Sequence, residues 1–566
     1  MPMLTPAGRP FFLSESQLQR SLQADASKAA MEHVWSRLES GAPLRIGVLG
    51  SSVAMSGGCQ AEFQPQLRCA QFDGIQVHKR FARGYGVVDN EMRGLLHNAD
   101  RPVRGFLLQV LDWINATWPH RGHRIENAAV DAWTAKAIEP CLLSNAQLTS
   151  SDLLLLELGS QGWHSSQAAA SERIIRKLVR LTSANGSPPA MVMVTTRQWC
   201  GHSVHGLRRR ERPVILKTWD GIEDVFARFC AAYGMACLSM RDAIFEDVVA
   251  RRANFTVPDV AADCLHPEQS RFGYHYMSDI IIHFLQRSWQ QYQKRRSSGT
   301  RVRRGLSRVP LPPPLLEANR GRAGRMAWRC YELPETAGTT QRQAEARSRS
   351  AAKPFLEWHS AGGNPSDVAP LSDSASCDAL RRCVVRSART QNLACLKGRG
   401  HWQYCTRTLA NRPAYKPGIV SLLPGAELRF VVDASAPLTR RRGRNTTDPN
   451  GAVLALTYLT SYEQMGVVGV SCEKGCDCEM RTIDALQMAQ PTMAMAPSEL
   501  RRGHHHSERA AARNVSVASV AELLLTQTTS ACTVKLSNLA RTRHGGESHL
   551  ALSKWKLLQV RVGWHE

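Results

Sequence analysis

A serine hydroxyl becomes a nucleophile when a base takes its proton, and four short blocks of this chain carry the residues for that chemistry. Gly50-Ser51-Ser52-Val53 follows an apolar run. Asp263-Cys264-Leu265-His266-Pro267 precedes the last apolar segment of the first half. His266 is placed to act as base for Ser52. Asp263, three residues earlier, is placed to hold the imidazole tautomer and stabilise the imidazolium. The tetrahedral intermediate of acyl transfer needs hydrogen-bond donors for its oxyanion. The backbone N–H groups of Ser52 and of Ala132, in Asn127-Ala128-Ala129-Val130-Asp131-Ala132, and the amide of Gln161, in Gly159-Ser160-Gln161-Gly162, are the candidates. Simpler readings stand beside this one. Gly50-Ser51-Ser52 reads also as a turn or a phosphate-binding loop, but without Gly-x-Gly-x-x-Gly or Gly-Lys-Ser/Thr. Asp263-x-x-His266 reads also as a helix N-cap with an incidental histidine. Four blocks in one order favour a shared site.

The blocks need elements to position them, and hydrophobic periodicity supplies these. Residues 14–40 carry Leu18, Leu22, Ala26 and Ala30 at four-residue spacing and predict a helix. Strands are expected at 44–49, 124–127, 152–158, 191–195 and 236–240. Helices are expected at 106–118, 172–181, 225–233 and 274–289. Such alternation implies an α/β fold, a parallel sheet covered by helices on both faces. Ligands of such sheets bind beyond the carboxyl ends of the strands, where all four blocks fall.

In their order and chain positions the blocks resemble the SGNH (GDSL-type) hydrolase family, over about residues 40–290. The resemblance implies a flavodoxin-like three-layer fold, a serine nucleophile at Ser52, and a catalytic pair at Asp263 and His266. Three positions depart from the family pattern. Ser51 stands where the family has Asp, Ala132 where it has Gly, and Gln161 where it has Asn. Ala132 keeps its N–H but adds a methyl group, and Gln161 donates from a side chain one methylene longer. Trp163 reads as a pocket wall or as core, and Cys59 and Cys69 as a disulfide closing a small loop near the site.

The second half has another texture. Lys294 to Arg329 holds eleven basic residues and one acidic, with Pro312-Pro313-Pro314, and reads as a linker continuing to about 375. After that come short apolar or alternating runs at 419–423, 427–432, 452–459, 467–471, 520–527, 533–539 and 555–562, which predict an antiparallel β-sandwich. Long loops are expected at 439–451 and 497–514. The expected organisation is a helical extension (1–40), an SGNH-like domain (41–293), a basic linker (294–375) and a β-sandwich domain (376–566).

Composition excludes several classes. The chain of 566 residues is 43% hydrophobic and 21% charged, which rules out a collagen, a coiled coil and a wholly disordered protein. No apolar run reaches the length of a membrane span, and no signal peptide is visible. The net charge is +24, but residues 1–293 hold 31 basic and 27 acidic side chains, so the excess sits in the second half. Basic runs such as Arg440-Arg441-Arg442 and Arg501-Arg502 lack any nucleic-acid motif and read as solvated loops, with polyanionic polysaccharide as a partner of matching charge. Sixteen cysteines, with Cys472, Cys476 and Cys478 clustered and Cys532 downstream, favour disulfides over a metal site. Sequons at Asn115, Asn185, Asn254, Asn445 and Asn514 agree with a glycoprotein of the secretory lumen or the outside. His504-His505-His506 reads as loop, and no metal or cofactor is expected.

These expectations converge on a serine esterase removing acyl groups, acetyl foremost, from a sugar or polysaccharide. The alternatives are an O-acyltransferase using the same site, with a sugar hydroxyl replacing water, and an inactive carbohydrate-binding protein that keeps the fold. The sugar preference rests on the appended sandwich, by analogy. If Gln161 donates to the oxyanion, Gln161→Ala lowers kcat by ~10²–10³ with little change in KM, and Gln161→Asn keeps or raises activity. Ester-hydrolysis kinetics of the two variants side by side check this; equal, near-wild-type rates contradict it.

Overall fold

The computed structural model describes residues 10–56, 86–89, 105–130, 133–144, 148, 150–158, 165–181, 188–199, 222–261, 267, 272–299, 311–320, 326–331, 357–361, 402–409, 412–421, 425–435, 451–460, 465–485, 517–539 and 555–565. The expected loop 497–514 lies outside these residues, as do 439–450, Cys59 and Cys69. The chain divides into two compact units between Arg320 and Gly321.

The first unit is built on a seven-stranded sheet. Its strands are β1 (Leu22–Asp25), β2 (Arg45–Gly50), β3 (Gly86–Asp89), β4 (Arg124–Asn127), β5 (Leu153–Glu157), β6 (Ala190–Thr195) and β7 (Ala236–Ser239). Their order across the sheet is β1-β7-β6-β5-β2-β4-β3. The five strands from β4 to β7 are parallel, and the edge strands β1 and β3 are antiparallel to their neighbours. All five residues of β5 are buried, as a central strand covered on both faces requires.

The helices of this unit are α1 (Glu15–Arg20), α2 (Lys28–Glu39), α3 (Ser52–Ser56), α4 (Phe106–Thr117), α5 (Ala135–Ile138), α6 (Ser165–Val179), α7 (Ile222–Tyr233), α8 (Met240–Val249), α9 (Val257–Val260) and α10 (Gly273–Ser297). Leu154, Leu156, Met191 and Met193 share one hydrophobic cluster with Ile174 and Leu178 of α6 and Phe226 and Phe229 of α7. Leu153 and Leu155 alternate to the opposite face. There α10 packs on α4 and α2, and Trp35 Nε1 donates to Ser288 Oγ at 3.0 Å. Helix α4 is apolar almost all round, which suits its burial.

Residues 14–40 do not form the single helix that the spacing predicts. Ser21 and Ser27 interrupt it, and Leu22–Asp25 pairs with Ala236–Leu238 as an edge strand. Covering the edge of β7 outweighs local helical spacing. The N-terminal stretch is fastened by buried carboxylates. Asp279 accepts from Phe12 N–H at 2.7 Å, and Asp247 from Gln17 Nε2 at 2.7 Å.

Part of the segment read as linker belongs to this unit. Buried Glu172 of α6 accepts from Leu316 N–H at 3.2 Å, Asn319 Nδ2 at 2.6 Å and Tyr233 Oη at 2.6 Å. It also accepts from Leu315 N–H, and Arg176 donates to Pro312 O. The stretch 311–320 is therefore held down by backbone donors that meet one carboxylate.

The second unit holds two antiparallel sheets. The first contains β8 (Met326–Tyr331), β10 (Gln403–Leu409), β11 (Arg412–Ser421), β13 (Ala452–Thr460), β16 (Val517–Leu525) and β18 (Trp555–His565). The second contains β9 (Glu357–Ala361), β12 (Glu427–Val432), β14 (Val467–Lys474), β15 (Arg481–Asp484) and β17 (Cys532–Leu539). Strict alternation of burial along β12 points Leu428, Phe430 and Val432 inward. These join Leu454, Leu456, Val534, Leu536, Val560 and Val562 in one hydrophobic cluster fed by both sheets. Cys472 pairs with Cys478 and Cys476 with Cys532, the second pair tying the turn after β14 to the start of β17. In the first unit Cys230 pairs with Cys237.

Strand β8 fills the edge of β18 from Val560 to His565, and β9 covers the edge of β12. A fragment of residues 321–566 expressed in an oxidising compartment is therefore expected to fold with few free thiols. A fragment of 376–566, which lacks both strands, is expected to melt lower or aggregate. Thermal unfolding and thiol titration of the two check this; equal stability contradicts it.

Candidate active site

The order β4-β2-β5-β6-β7 places the first parallel strand between the second and the third, so the chain reverses direction of winding between β2 and β5. A crevice opens at the carboxyl ends of strands at such a point. Ser52 lies there, two residues beyond the end of β2, as the first residue of α3. It is 5% exposed.

The neighbouring strand ends are zipped to this turn. Ala128 N–H donates to Val48 O at 2.8 Å and Val130 N–H to Gly50 O at 3.1 Å, extending the β2–β4 pairing beyond Asn127. On the other side Gly50 is paired with Glu157. Asn127 Nδ2 donates to Ala54 O at 3.0 Å, while its Oδ1 accepts from Ala129 N–H at 2.9 Å. That one amide ties the backbone of α3 to the strand end that leads to Asp131-Ala132. The ends of β4, β2 and β5, which precede the first three sequence blocks, thus lie side by side.

Gly50 makes the close approach feasible. A Cβ there would lie 2.6 Å from Glu157 O and 2.7 Å from Ala54 Cβ. Gly47, earlier on β2, is similarly tight, with Ser151 Oγ 2.5 Å from where a Cβ would be.

Beneath Ser51 sits a carboxylate that sequence reading passed over. Glu157 is 3% exposed. Its Oε2 accepts from Ser51 Oγ at 3.1 Å and from Ser51 N–H at 3.4 Å, and its Oε1 accepts from Thr196 Oγ1 at 3.4 Å. One legible signal was available: an acid closing a run of four leucines on a strand buried on both faces. Asn127 reads from sequence as a strand end and the start of the second block, whereas its bridging role depends on a contact distant in sequence. Further along the carboxyl edge, Arg197 lies over the Phe245 ring at 4.8 Å. Burial pushes the Glu223 carboxyl up, against the pull of Arg241 and Arg197.

The fourth block is reached from both sides. Ala261 and Pro267, which flank 262–266, form an isolated antiparallel bridge. Phe272 N–H donates to Asp259 O at 3.3 Å, and Asp259 caps α9 by accepting from Thr256 N–H at 3.1 Å. Tyr276 stacks between Phe255 and Phe272, at 5.3 and 5.7 Å, and its hydroxyl donates to Asn254 O. Burial, then Asp259, raises the Tyr276 phenol, keeping it a neutral donor.

Asp263, His266, Ala132, Gln161 and Trp163 lie outside the described residues; of the expected site residues Ser52 alone is described. Among the described residues, the group of side chains close enough to share a metal ion is Cys472, Cys476 and Cys532, and all three are in disulfides.

Solved structures offer a parallel for the whole architecture. A two-domain esterase active on acetylated mannans is similar with a TM-score of 0.50 and 12% identity, over 97% of this chain and 99% of that one. The same type of esterase co-crystallised with mannopentaose gives a TM-score of 0.48 at 12% identity, over 97% and 98%. A catalytic mutant of an acetylxylan esterase from Geobacillus stearothermophilus gives 0.29 at 13% identity, over 44% of this chain and 95% of its own. At 12% identity the likeness to the first of these is one of fold. No protein-family model matches the chain, and no curated protein matches it.

Gly50→Ala is expected to force the end of β2 away from β5. Overpacking of this kind costs about 1–3 kcal/mol and displaces the turn that carries Ser52. A fall in melting temperature measured by calorimetry checks this; an unchanged Tm contradicts it.

Proposed function

We propose that the protein is a serine esterase of the SGNH type that removes acetyl groups from a polysaccharide. Ser52 is the nucleophile, His266 the general base and Asp263 its orienting partner. The N–H groups of Ser52 and Ala132 and the amide of Gln161 receive the oxyanion. The observation that carries this reading is the side-by-side exit of three strand ends around Gly50, which sets Ser52 at the winding reversal of the sheet. The Ala261–Pro267 bridge supports it, because it brings together the two described residues that flank 262–266 shortly before α10.

The chemistry follows from these roles. His266 takes the Ser52 proton as Oγ attacks the acetyl carbonyl. The tetrahedral intermediate collapses, and His266 returns the proton to the departing sugar hydroxyl. Water, deprotonated by the same histidine, then releases acetate from the acetyl-enzyme. No redox partner is required.

A polymeric carbohydrate substrate is favoured by the two-unit architecture, shared with an esterase whose substrates are acetylated mannans. In this reading residues 41–293 form the catalytic domain. The two antiparallel sheets, with 376–566 at their centre, stack as a β-sandwich that engages the polymer. The disulfides in both units fit a secreted or lumenal protein.

Release of acetate from acetylated mannan or xylan by the full chain tests the proposal. Ser52→Ala and His266→Ala are each expected to lower kcat by at least about 10⁴-fold, and the double variant to be no worse than either, because the residues act as one unit. Substantial activity in Ser52→Ala, or independent additive losses, contradicts it.

A further inference from the structure

We propose that Glu157 is the positioning residue of the nucleophile turn, acting on Ser52 through Ser51. The inference rests on the esterase reading above. The carboxylate is almost wholly buried, and each hydrogen bond described for it comes from a donor: the Ser51 hydroxyl, the Ser51 N–H and the Thr196 hydroxyl. A carboxylate is an acceptor on both oxygens, so this donor set suits it. Its location explains its use. Glu157 ends β5, Ser51 follows β2 and Thr196 follows β6, so one side chain clamps three consecutive strands of the sheet at their carboxyl ends. Two of its bonds go to a single residue, one to backbone and one to side chain, which fixes the direction in which the chain enters α3. Ser52 is the next residue. Asn127 grips the same short helix from the other flank through Ala54 O. The turn is thus held from both sides by buried polar groups, neither of which is the expected nucleophile, base or orienting acid.

A misplacement of about 1 Å in a reacting group can cost ~10²-fold in rate. Glu157→Ala is therefore expected to lower kcat, per titrated active site, by ~10²-fold with KM little changed. Glu157→Gln keeps an acceptor for Ser51 and an amide for Thr196, and should retain most of the activity. The most diagnostic variant exchanges the partners. Ser51→Asp with Glu157→Asn keeps one carboxylate, one donor and the same number of side-chain atoms across the gap. It should restore activity, whereas Ser51→Asp alone sets two carboxylates against each other and should be impaired. A role limited to stability would lower Tm without this pattern of rescue.

Hydrogen exchange of the peptide spanning 48–56 gives a readout independent of catalysis. Faster exchange in Glu157→Ala than in wild type is the expected result, and unchanged exchange overturns the inference. An active wild type with a near-normal Glu157→Ala overturns the inference and leaves the esterase reading intact. A wild type without esterase activity overturns that reading and, with it, the part of Glu157 in catalysis. The exchange result still decides separately whether Glu157 holds the turn.

Discussion

The first unit depends on how closely two strands can approach at Gly50. Glu157 O lies 2.6 Å from the position of the missing Cβ, so any larger residue would wedge β2 from β5 at the point where the winding of the sheet reverses. The Gly50–Glu157 pairing brings the carboxylate under Ser51, and the Val130–Gly50 hydrogen bond brings the strand leading to Ala132 alongside. The glycine allows β2 and β5 to run this close together just where the chain turns into Ser52.

Buried carboxylates recur as fasteners around this frame. Glu157 accepts from Ser51 in the turn after β2, Glu172 holds 311–320, and Asp279 holds the N-terminal stretch at Phe12 and Leu13. Asp152 receives Arg45 N–H at the start of β2. A buried charge is costly unless donors meet it, and here backbone N–H groups of Ser51, Leu316, Phe12 and Arg45 contribute. The cost of desolvating the acid thereby becomes specificity for where a peripheral segment docks.

Much of this was legible in the chain. The strands at 124–127 and 427–432 fall where alternation and apolar runs place them, and β5, β6, β7, α4, α7 and most of the C-terminal strands fall within a few residues of expectation, while α10 starts as expected and runs on to Ser297. Those segments are decided by local burial patterns. The misses share a different cause. Strand β1 reads as helix because its only strand-like feature is a partner more than 200 residues away. Strands β8 and β9 lie in a stretch whose arginines, prolines and serines read as linker, yet each covers an edge of a sheet built mainly from later sequence. The same applies at the site. Ser52 was visible from its motif, whereas Glu157 and Asn127 act through hydrogen bonds to residues 106 and 73 positions away, which no local pattern encodes.

The central claim is that Ser52, at the reversal of the sheet, is an activated nucleophile served by His266. The most direct measurement is labelling of the folded protein with an active-site-directed phosphonate, followed by mass-spectrometric mapping. The account predicts one adduct per chain on Ser52, and its loss in His266→Ala. An adduct on Ser51, labelling that persists without His266, or no labelling of folded protein would contradict it.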